Sequence, residues 1–497
     1  MVEMLLKELL AGRMLPIGAA ELAIRGLTAD SREVREGFLF AALAGAKADG
    51  AKFIPDAIAK GAAAILADDK VTAKAAVPII HDENPRRALA LMAARFFGHQ
   101  PEHIAAVTGT NGKTSVASFA RQIWTALGFK AANLGTLGAI GPDGTRMDEG
   151  APLTTPDPVA LHRLLDRLAG EGFDHVAFEA SSHGLDQFRL DGVKVSAAAF
   201  TNLTRDHLDY HGTEEAYFAA KLRLFTEILP PEGIAVVNVD TLFGPRVAEA
   251  AQKAGRKVWR LGRSGKEIRL LNATLHAKGQ HVTAEVFGAR YEVALPLAGA
   301  FQASNALLSA GLVIACGGAP ERAMAALQKL TTVPGRMQWV GDVGSGDTTA
   351  SVYIDYAHTP DALRTVLEAL RPHTKHRLHV VFGCGGDRDA GKRPLMGMLA
   401  AALADHTIVT DDNPRSEVPA EIRREIMEGV PEGSKVEEIG DRAKAIAAAI
   451  DELEPGDSLV IAGKGHETGQ IVGKAVLPFD DAEVARAALA KRRSKDG

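Results

Sequence analysis

The stretch "IAAVTGTNGKTSVASFARQIW", residues 104–124, predicts an apolar strand, a glycine-rich loop and a helix in direct succession. The glycines let backbone N–H groups turn toward phosphate oxygens, and the helix N-terminus adds partial positive charge. Lys113 would pair with β- and γ-phosphate oxygens, and the Thr114 hydroxyl would bind Mg²⁺. The strict nucleotide-loop pattern needs a glycine where Val107 stands, so a glycine-rich connector is the alternative. The strand–loop–helix context favours a phosphate loop.

Outward from this stretch, short apolar runs alternate with Ala/Leu-rich helical patterns along nearly the whole chain. This alternation is typical of α/β domains with mostly parallel sheets. The predicted strands are 62–67, 104–108, 175–178, 235–239, 378–382, 407–410 and 458–462. The predicted helices are 88–97, 114–127, 159–169, 214–227 and 481–492.

The chain has 497 residues, which is too long for one hydrophobic core. Two stretches look like domain boundaries. "GHQPEH", 98–103, interrupts the chain before the phosphate loop, and "TTVPGRMQWV", 331–340, separates a helical stretch from a new strand. The sequence therefore predicts three domains, 1–100, 101–332 and 333–497.

Composition excludes several classes of protein. The net charge of −5 and the pI near 6.4 argue against nucleic acid as the main partner. Only two cysteines occur, Cys316 and Cys384, which argues against a disulfide framework and fits a reducing compartment. Charges interrupt the apolar residues of "MVEMLLKELL", so we do not expect a signal peptide. No uncharged apolar run approaches the roughly 18 residues needed to cross a bilayer, so we expect no membrane insertion. We expect a cytoplasmic protein.

Ionisable side chains follow two further stretches of the predicted central domain. "HVAFEASSHGLDQFRL", 175–190, starts as a buried strand and brings Glu179 to its end, a position suited to Mg²⁺ or to a reacting group. "FTNLTRDHLDYHGTEEAYFAAKLRLF", 200–225, places His207 in a polar loop and Lys221 on a helix. Clustering favours function for Glu179 and His207. For Lys221, helical spacing alone is equally typical of a solvated lysine.

Motifs in all three predicted domains resemble the Mur ligase family of peptidoglycan synthesis, in particular the members that add the third residue of the peptide. The matching stretches are GTNGKT, EASSHGLDQFR, TNLTRDHLDYHG, Val333-Pro-Gly-Arg336-Met, Asp355-Tyr-Ala-His358-Thr-Pro-Asp361, Phe382-Gly-Cys-Gly-Gly-Asp-Arg388-Asp and Gly463-Lys-Gly-His-Glu467. Their order along the chain is also the family's order. Such ordered co-occurrence is far more specific than any single motif.

The resemblance implies an α/β, three-domain Mur ligase architecture. Its N-terminal domain (1–100) would bind the UDP-substrate, its phosphate-loop central domain (101–332) ATP, and its Rossmann-like C-terminal domain (333–497) the amino acid. The implied reaction joins meso-2,6-diaminopimelate to the D-glutamate γ-carboxylate of UDP-MurNAc-L-Ala-D-Glu through an acyl-phosphate. ATP would be a co-substrate and Mg²⁺ the cofactor, in a monomer whose partners are small-molecule substrates rather than nucleic acid.

The resemblance also assigns residues. It implies that Lys113, Glu179, His207 and Lys221 are catalytic, and that Thr114, Glu179, His207 and Lys221, the last as a carbamate, hold metal. ATP would contact Gly109, Thr110, Asn111, Gly112, Lys113, Thr114, Ser115, Asn305, Arg336 and Asp355. The UDP-substrate would contact Ser31 in the segment 27–50, and Thr154, Thr155, Ser181, Gln187 and Arg189. The family usually has Asn where Gln302 stands, which affects only that local contact. Family enzymes close their domains to assemble the site.

The stretch "DDNPR", 411–415, would select the added amino acid. In the family, D-N-P-R marks diaminopimelate enzymes, because a guanidinium grips the distal carboxylate of diaminopimelate and repels the bare ammonium of lysine. Asn413 offers both a donor and an acceptor, and Pro414 stiffens the loop that aims Arg415. The implied diaminopimelate contacts are Arg388, Asp412, Asn413, Pro414, Arg415, Gly463 and Glu467, of which Glu467 suits the distal ammonium.

Purely structural interpretations stay open for several features. In isolation "DDNPR" reads as a turn and helix start, as does its partial repeat Asn84-Pro85-Arg86 before the predicted helix 88–97. Thr154-Thr155-Pro156-Asp157 also fits a helix cap. Cys384 fits a small packing residue better than a nucleophile. The competing functions are a lysine-adding or other Mur-type ligase, including folylpolyglutamate synthetase relatives, and a nucleotide-binding regulatory protein that has lost catalysis.

Overall fold

The structure is a computed structural model that describes residues 3–11, 18–45, 49–72, 75–148, 153–276, 278–344 and 349–496. Residues 46–48 of the predicted uridine-binding segment and 1–2 of the N-terminal stretch lie outside these ranges. The chain forms two compact units, one of residues 1–269 and 307–323 and the other of residues 270–306 and 324–497. We call them unit 1 and unit 2.

Unit 1 begins with a small parallel sheet of strand order β3-β4-β5-β6. Its buried strands pack against helices on both faces, through two apolar clusters centred on Leu66 and Ile65. The elements are β1 (Met4–Leu5), α1 (Leu6–Leu10), β2 (Ala23–Ile24), β3 (Gly26–Thr28), β4 (Phe38–Ala42), α2 (Ile54–Ala59), β5 (Ala64–Asp68), β6 (Ile79–Asp82) and α3 (Pro85–Phe97).

The second sheet of unit 1 positions the candidate site. Its strands lie in the order β13-β12-β11-β7-β10-β8-β9, and all are parallel except β9. The elements are β7 (His103–Thr108), α4 (Lys113–Leu127), β8 (Ala131–Gly135), β9 (Gly138–Ile140), α5 (Pro158–Gly170), β10 (His175–Glu179), α6 (Ser182–Asp186), β11 (Val195–Phe200), α7 (Leu208–His211), α8 (Glu214–Arg223), β12 (Ile234–Asn238), α9 (Gly244–Lys253) and β13 (Lys257–Gly262). Loops that leave the carboxyl ends of parallel strands meet at one edge, which is where open α/β sheets bind ligands.

The chain passes from unit 1 into unit 2 within strand β14 (Ile268–His276). Unit 2 then contains the antiparallel hairpin of β15 (Gly279–Val286) and β16 (Ala289–Leu295). The chain crosses between the units twice more, within α10 (Phe301–Ala315) and within α11 (Pro320–Ala326).

Unit 2 has its own sheet, of order β17-β18-β22-β19-β20-β21, in which only β17 is antiparallel. Two apolar clusters cover its faces. The elements are β17 (Gln338–Val343), β18 (Ala350–Asp355), α12 (Pro360–Leu370), β19 (Leu378–Phe382), α13 (Lys392–Leu403), β20 (His406–Val409), α14 (Pro419–Met427), β21 (Val436–Glu438), α15 (Arg442–Asp451), β22 (Ser458–Ala462), β23 (Gly469–Val472), β24 (Ala475–Pro478) and α16 (Asp481–Asp496).

Most predicted elements agree with the structure to within a few residues, since their periodicity is strong. The helix predicted over 214–227 is the main exception, because α8 ends at Arg223 and continues as one π-helical turn, Leu224–Ile228. The mixed α/β class and parallel sheets are confirmed. Among the described residues, no helix is both long and apolar enough to cross a membrane.

The partial repeat Asn84-Pro85-Arg86 is a helix start, as expected. The Asn84 side chain accepts a hydrogen bond from Arg87 N at 3.1 Å, and Pro85 is the first residue of α3. Because a lost N-cap leaves a backbone donor unsatisfied, we expect Asn84→Ala to lower the free energy of unfolding by about 1 kcal/mol. Chemical denaturation measures this change. A loss of enzymatic activity in a folded Asn84→Ala protein would contradict the purely structural role.

Candidate active site

The phosphate loop joins β7 to α4 and is braced by the segment that follows β11. Asn202 accepts hydrogen bonds from Thr110 N at 2.9 Å and Asn111 N at 3.0 Å, and Thr201 Oγ1 donates to Asn111 O at 2.6 Å. Gly109 has φ +148°, and a Cβ there would lie 1.9 Å from Thr201 Oγ1, so no other residue fits. The loop is therefore held in shape by its neighbours.

Two lysines converge on one carbonyl of this loop. Lys113 Nζ donates to Gly109 O at 3.0 Å and to Thr110 O at 2.8 Å, while Lys221 Nζ donates to Gly109 O at 2.7 Å. Lys221 is only 1% exposed, so the solvated-lysine interpretation is wrong. Burial, followed by the charge of Lys113, holds the pKa of Lys221 well below its ordinary value. Both effects favour the unprotonated form of the amine.

Glu179, at the end of β10, is 2% exposed and fully hydrogen-bonded. Its carboxylate accepts from Thr114 Oγ1 at 3.0 Å, from Thr136 N at 2.8 Å and from Thr136 Oγ1 at 3.2 Å. Thr114 is the second residue of helix α4, so the predicted pair of oxygen ligands from the loop and the strand end lies together. Thr136 was not predicted from the sequence.

The predicted UDP-substrate residues continue the same network. Thr155 Oγ1 donates to Glu179 O at 2.8 Å and accepts from Ser181 Oγ at 3.0 Å. Arg189 donates to Thr155 O at 2.7 Å and to Gln187 Oε1 at 2.7 Å. The hydroxyl of Thr154 lies 3.1 Å from that of Thr136. Asp157, rather than either threonine, caps helix α5.

His207 and Ser31 occupy more exposed positions. His207 has φ +52° at the start of α7, and its ring lies 4.9 Å from that of His183. Burial lowers its pKa, Asp206 opposes this, and the charges of Lys113 and Lys221 act in the same direction as burial. The ring also lies 6.1 Å from that of Tyr217, whose hydroxyl is 3.1 Å from Thr110 Oγ1 of the phosphate loop. Ser31 follows β3, and its carbonyl accepts from Lys60 Nζ at 2.9 Å. The Glu179 network does not extend to Ser31 within the described ranges.

In unit 2, the stretch 411–415 follows β20 and lies well before α14, which starts at Pro419, so it is not a helix start. Asn413 is 3% exposed. Its Nδ2 donates to Glu467 Oε2 at 2.7 Å, and its Oδ1 accepts from Lys464 Nζ at 3.1 Å and Ile471 N at 2.9 Å. Asn413 therefore holds Glu467 in place, and its contact with the amino acid stays a prediction.

Arg415 has φ +51°, which is uncommon for a residue other than glycine. Backbone pairing with the β23–β24 hairpin holds it, since Arg415 N donates to Ile471 O at 3.0 Å and Arg415 O accepts from Gly473 N at 2.6 Å. The hairpin thus fixes the backbone from which the Arg415 side chain projects. Its Nη1 donates to Gly386 O at 2.8 Å, and no carboxylate in the described part of the chain lies within ion-pair distance. Asp387, its acidic neighbour, instead accepts from Ser416.

The Tyr356 side chain interacts with several of the remaining predicted residues of unit 2. Burial raises the pKa of its phenol; Glu467 and Asp412 act in the same direction, and Arg336 and Arg388 oppose them. The Arg336 guanidinium lies 4.8 Å from the ring centroid. Charged groups from four separate loops therefore influence the Tyr356 phenol. This residue was not predicted, although it follows Asp355 directly in a quoted motif.

The other predicted residues of unit 2 have structural partners. Asp355 is buried and accepts from Met337 N at 2.7 Å and Ala357 N at 2.9 Å. Gly463 has φ +114°, and a Cβ would lie 2.6 Å from Asp412 Oδ2. Asn305 Nδ2 donates to Gln302 Oε1 at 3.1 Å, so the unusual glutamine holds the predicted adenine contact. Cys384 is buried, its pKa is raised to about 12, and it packs against Met396, in agreement with the packing interpretation.

Asn413 yields a testable prediction. We expect Asn413→Ala to lower the free energy of unfolding by about 1–3 kcal/mol, because Lys464 and Glu467 would lose a buried partner. The variant should also lose affinity for the amino acid, whereas Asn84→Ala should not. Denaturation and substrate titration of both variants measure this. Equal amino-acid affinity in the two variants would disprove the positioning role.

A parallel sheet with a braced phosphate loop, a lysine in that loop and a carboxylate at the adjacent strand end defines a nucleotide-type α/β protein. Family models place it further. The Mur ligase family, catalytic domain matches residues 23–97, the Mur ligase middle domain 107–313, and the Mur ligase, glutamate ligase domain 335–465. The chain belongs to the Mur ligase family.

Relatives and solved structures agree over nearly full length. Proteins named UDP-N-acetylmuramoyl-L-alanyl-D-glutamate--2,6-diaminopimelate ligase are 55% identical in Bradyrhizobium diazoefficiens (95% of this chain, 96% of the relative) and 54% identical in Brucella melitensis (98% and 99%). A solved structure of an enzyme of that name has a TM-score of 0.74 at 32% identity, covering 99% of both chains. MurF ligase from Thermotoga maritima, solved with ADP, shares the fold with a TM-score of 0.60 at 20% identity, covering 95% of this chain and 99% of its own.

Proposed function

We propose that the protein ligates meso-2,6-diaminopimelate to the D-glutamate γ-carboxylate of UDP-MurNAc-L-Ala-D-Glu, using ATP. Family membership and more than 50% identity to enzymes of that name support the reaction. The observation that carries the choice of amino acid is Arg415, whose guanidinium has carbonyl rather than carboxylate partners among the described residues. Such a group favours diaminopimelate over lysine, because it would attract the distal carboxylate of the former and repel the bare ammonium of the latter.

The chemistry balances in two steps. A γ-carboxylate oxygen attacks the γ-phosphorus of ATP, and ADP leaves, so the carboxylate becomes an acyl-phosphate. The unprotonated amine then attacks the acyl carbon, and the tetrahedral intermediate expels phosphate and leaves an amide. Overall, ATP, a carboxylate and an ammonium give ADP, phosphate, an amide and one proton.

Lys113 and the loop amides supply the electrostatic part of the first step. The transferring phosphoryl group carries charge on its oxygens, and donors fixed in advance stabilise that charge. The Lys113 ammonium now donates to two carbonyls of its own loop, which keeps it beside the place where phosphate oxygens would bind. When ATP binds, the Lys113 ammonium would exchange its hydrogen bonds to these carbonyls for hydrogen bonds to phosphate oxygens, and the loop would keep its conformation.

The residues around Glu179 fit Mg²⁺. The ion prefers hard oxygen ligands, and the Thr114 hydroxyl and the Glu179 carboxylate lie 3.0 Å apart. We propose that these two groups, with His207, hold Mg²⁺, which would neutralise phosphate charge when bound. Thr136 orients the carboxylate, and the Thr154, Thr155, Ser181, Gln187 and Arg189 side chains bind the sugar-peptide, with Ser31 contacting uridine. Asn305, Arg336 and Asp355 stay proposed ATP contacts.

Lys221 is proposed to act as a carbamate, formed when its amine attacks the carbon of CO₂ and releases a proton. Burial and the neighbouring Lys113 favour the unprotonated amine that this step requires. We expect protein equilibrated with ¹³C-bicarbonate to show one carbamate carbonyl resonance that Lys221→Met lacks. Retention of the resonance in Lys221→Met would assign it elsewhere, and its absence from the wild type would contradict the proposal.

The amino-acid end is proposed to bind at Arg388, Asp412, Asn413, Arg415, Gly463 and Glu467. Arg415 would bind the distal carboxylate, and Glu467 would bind the distal ammonium. Asn413 and Lys464 hold one oxygen of the Glu467 carboxylate in place. Pro414 and the β23–β24 hairpin shape the loop. We further propose three domains, 1–100, 101–332 and 333–497, in a cytoplasmic monomer.

Phosphate release tests the function. We expect release that requires ATP, UDP-MurNAc-L-Ala-D-Glu and meso-diaminopimelate together, with one phosphate per product. Omission of any one substrate should abolish it. Release that is independent of the sugar-peptide would point to a nucleotide-hydrolysing regulatory protein, and no release with any diamine would exclude the ligase.

A further inference from the structure

A second group of potential metal ligands lies in unit 2, at the amino ends of β19 and β20. His379 and His406 are paired in register on these adjacent parallel strands and are 1% and 3% exposed. Glu452 follows helix α15 and reaches the same place. One nitrogen from each histidine and one Glu452 oxygen all lie within 4.8 Å of one another. His406 Nδ1 is 3.1 Å from Glu452 Oε2.

Each imidazole is already oriented by a carboxylate on its other nitrogen. His379 Nε2 lies 3.2 Å from Asp457 Oδ2, and His406 Nε2 lies 3.2 Å from Glu437 Oε1. This is the outer-ligand arrangement that metal-binding histidines generally have, because it fixes the tautomer and leaves the inner nitrogen for the ion.

His379 Nδ1 supplies an independent sign of a missing ligand. The atom is buried and has no hydrogen-bond partner in the structure, although a buried ring nitrogen normally has one. Asp457 does not serve it, because that carboxylate lies against Nε2, the other nitrogen of the ring. A cation bound between His379, His406 and Glu452 would satisfy the orphaned atom.

We propose that His379, His406 and Glu452 bind a divalent transition metal of the Zn²⁺ type, with water completing a four-coordinate shell. Two imidazoles and one carboxylate suit Zn²⁺ and disfavour Mg²⁺, which prefers oxygen. Tetrahedral bonds of about 2 Å place donors about 3.3 Å apart, so donors that lie up to 4.8 Å from one another would move closer by as much as about 1.5 Å. The ion would tie the end of α15 to strands β19 and β20.

The site is distinct from the candidate active site. The proposed diaminopimelate residues follow the carboxyl ends of β19, β20 and β22, whereas His379 and His406 lie at the amino ends. The three residue steps from His379 to Phe382, at the end of β19, by themselves cover about 10 Å along the strand. We therefore expect the metal to stabilise unit 2 rather than to take part in ligation.

Three glutamates that differ in their distance from the ion provide the test. Glu452→Gln removes a proposed ligand, Glu437→Gln removes only the carboxylate behind His406, and Glu454→Gln changes a neighbouring exposed residue that pairs with Arg377. All three side chains are at least 47% exposed, so all three variants should fold.

Zinc stoichiometry, chelator competition and thermal unfolding are measured on the full-length protein. We expect Glu452→Gln to bind one Zn²⁺ fewer than the wild type and to lose the Zn²⁺-dependent rise in melting temperature. Glu437→Gln should bind Zn²⁺ about 10- to 100-fold more weakly, and Glu454→Gln should match the wild type. Any Zn²⁺ bound near Glu179 would be present equally in the wild type and the variants, so it does not affect the difference in zinc stoichiometry between them.

Mg²⁺ in place of Zn²⁺ should not distinguish the wild type from Glu452→Gln in melting temperature. The proposal is overturned if both proteins bind the same number of zinc ions and respond equally to Zn²⁺. Zinc-soaked crystals of the wild type give a check that requires no variant. An anomalous peak between His379 and His406 supports the site, and its absence at full zinc loading overturns it.

Discussion

Arg415→Ala should raise the KM for meso-diaminopimelate by about 30- to 5,000-fold, which corresponds to the 2–5 kcal/mol lost when one partner of a desolvated charge pair is removed. The substrate carboxylate would lose a bidentate partner. Among the described residues, the side-chain hydrogen bonds of Arg415 go to carbonyls through Nη1, and none goes to a carboxylate. Steady-state kinetics with saturating ATP and sugar-peptide measures the change.

Two further variants separate charge from geometry. Arg415→Lys keeps the charge but loses the planar fork, so it should recover only part of the affinity. Arg424→Ala removes an arginine on α14 that pairs with exposed Glu421 and Glu428, and it should change the KM little. Unchanged affinity in Arg415→Ala would remove the carboxylate-clamp role.

Lys113→Ala should lower kcat by about 100- to 1,000-fold, the usual effect of removing one fixed donor from developing transition-state charge. The Lys113 ammonium lies within hydrogen-bond distance of the Gly109 and Thr110 carbonyls, at the start of α4, where phosphate would bind. Single-turnover phosphate release isolates this step from amino-acid binding.

The matched control for this variant is Lys253→Ala, which removes a lysine that is 75% exposed and pairs only with Glu249 among the described residues. It should leave kcat unchanged. Because Lys113 also contributes to the low pKa of Lys221, Lys113→Ala should reduce the driving force for carbamate formation as well. A decrease in kcat of less than tenfold would show that the loop amides suffice.

Local patterns predicted those parts of the site that depend on neighbours in the chain. The strand–loop–helix pattern predicted Lys113 and Thr114 at the start of α4, and an apolar run predicted Glu179 at the end of β10. These features are encoded within a few residues, so one sequence reveals them.

Burial and long-range partners were not accessible in the same way. Helical spacing allowed Lys221 to be exposed, and only the packing of α8 against the loop buries it. The protein partners of Asn413 could not be predicted, because Lys464, Glu467 and Ile471 lie more than 50 positions away in the sequence. Thr136 and Tyr356 were missed because threonine and tyrosine in loops carry no specific pattern.

A competition between two amino acids tests the central claim most directly. Wild-type protein, ATP and UDP-MurNAc-L-Ala-D-Glu are incubated with equal concentrations of meso-diaminopimelate and L-lysine, and the products are identified by mass spectrometry. We predict the diaminopimelate tripeptide almost alone, with one phosphate released per product. Predominance of the lysine tripeptide, or phosphate release without either product, would contradict the account.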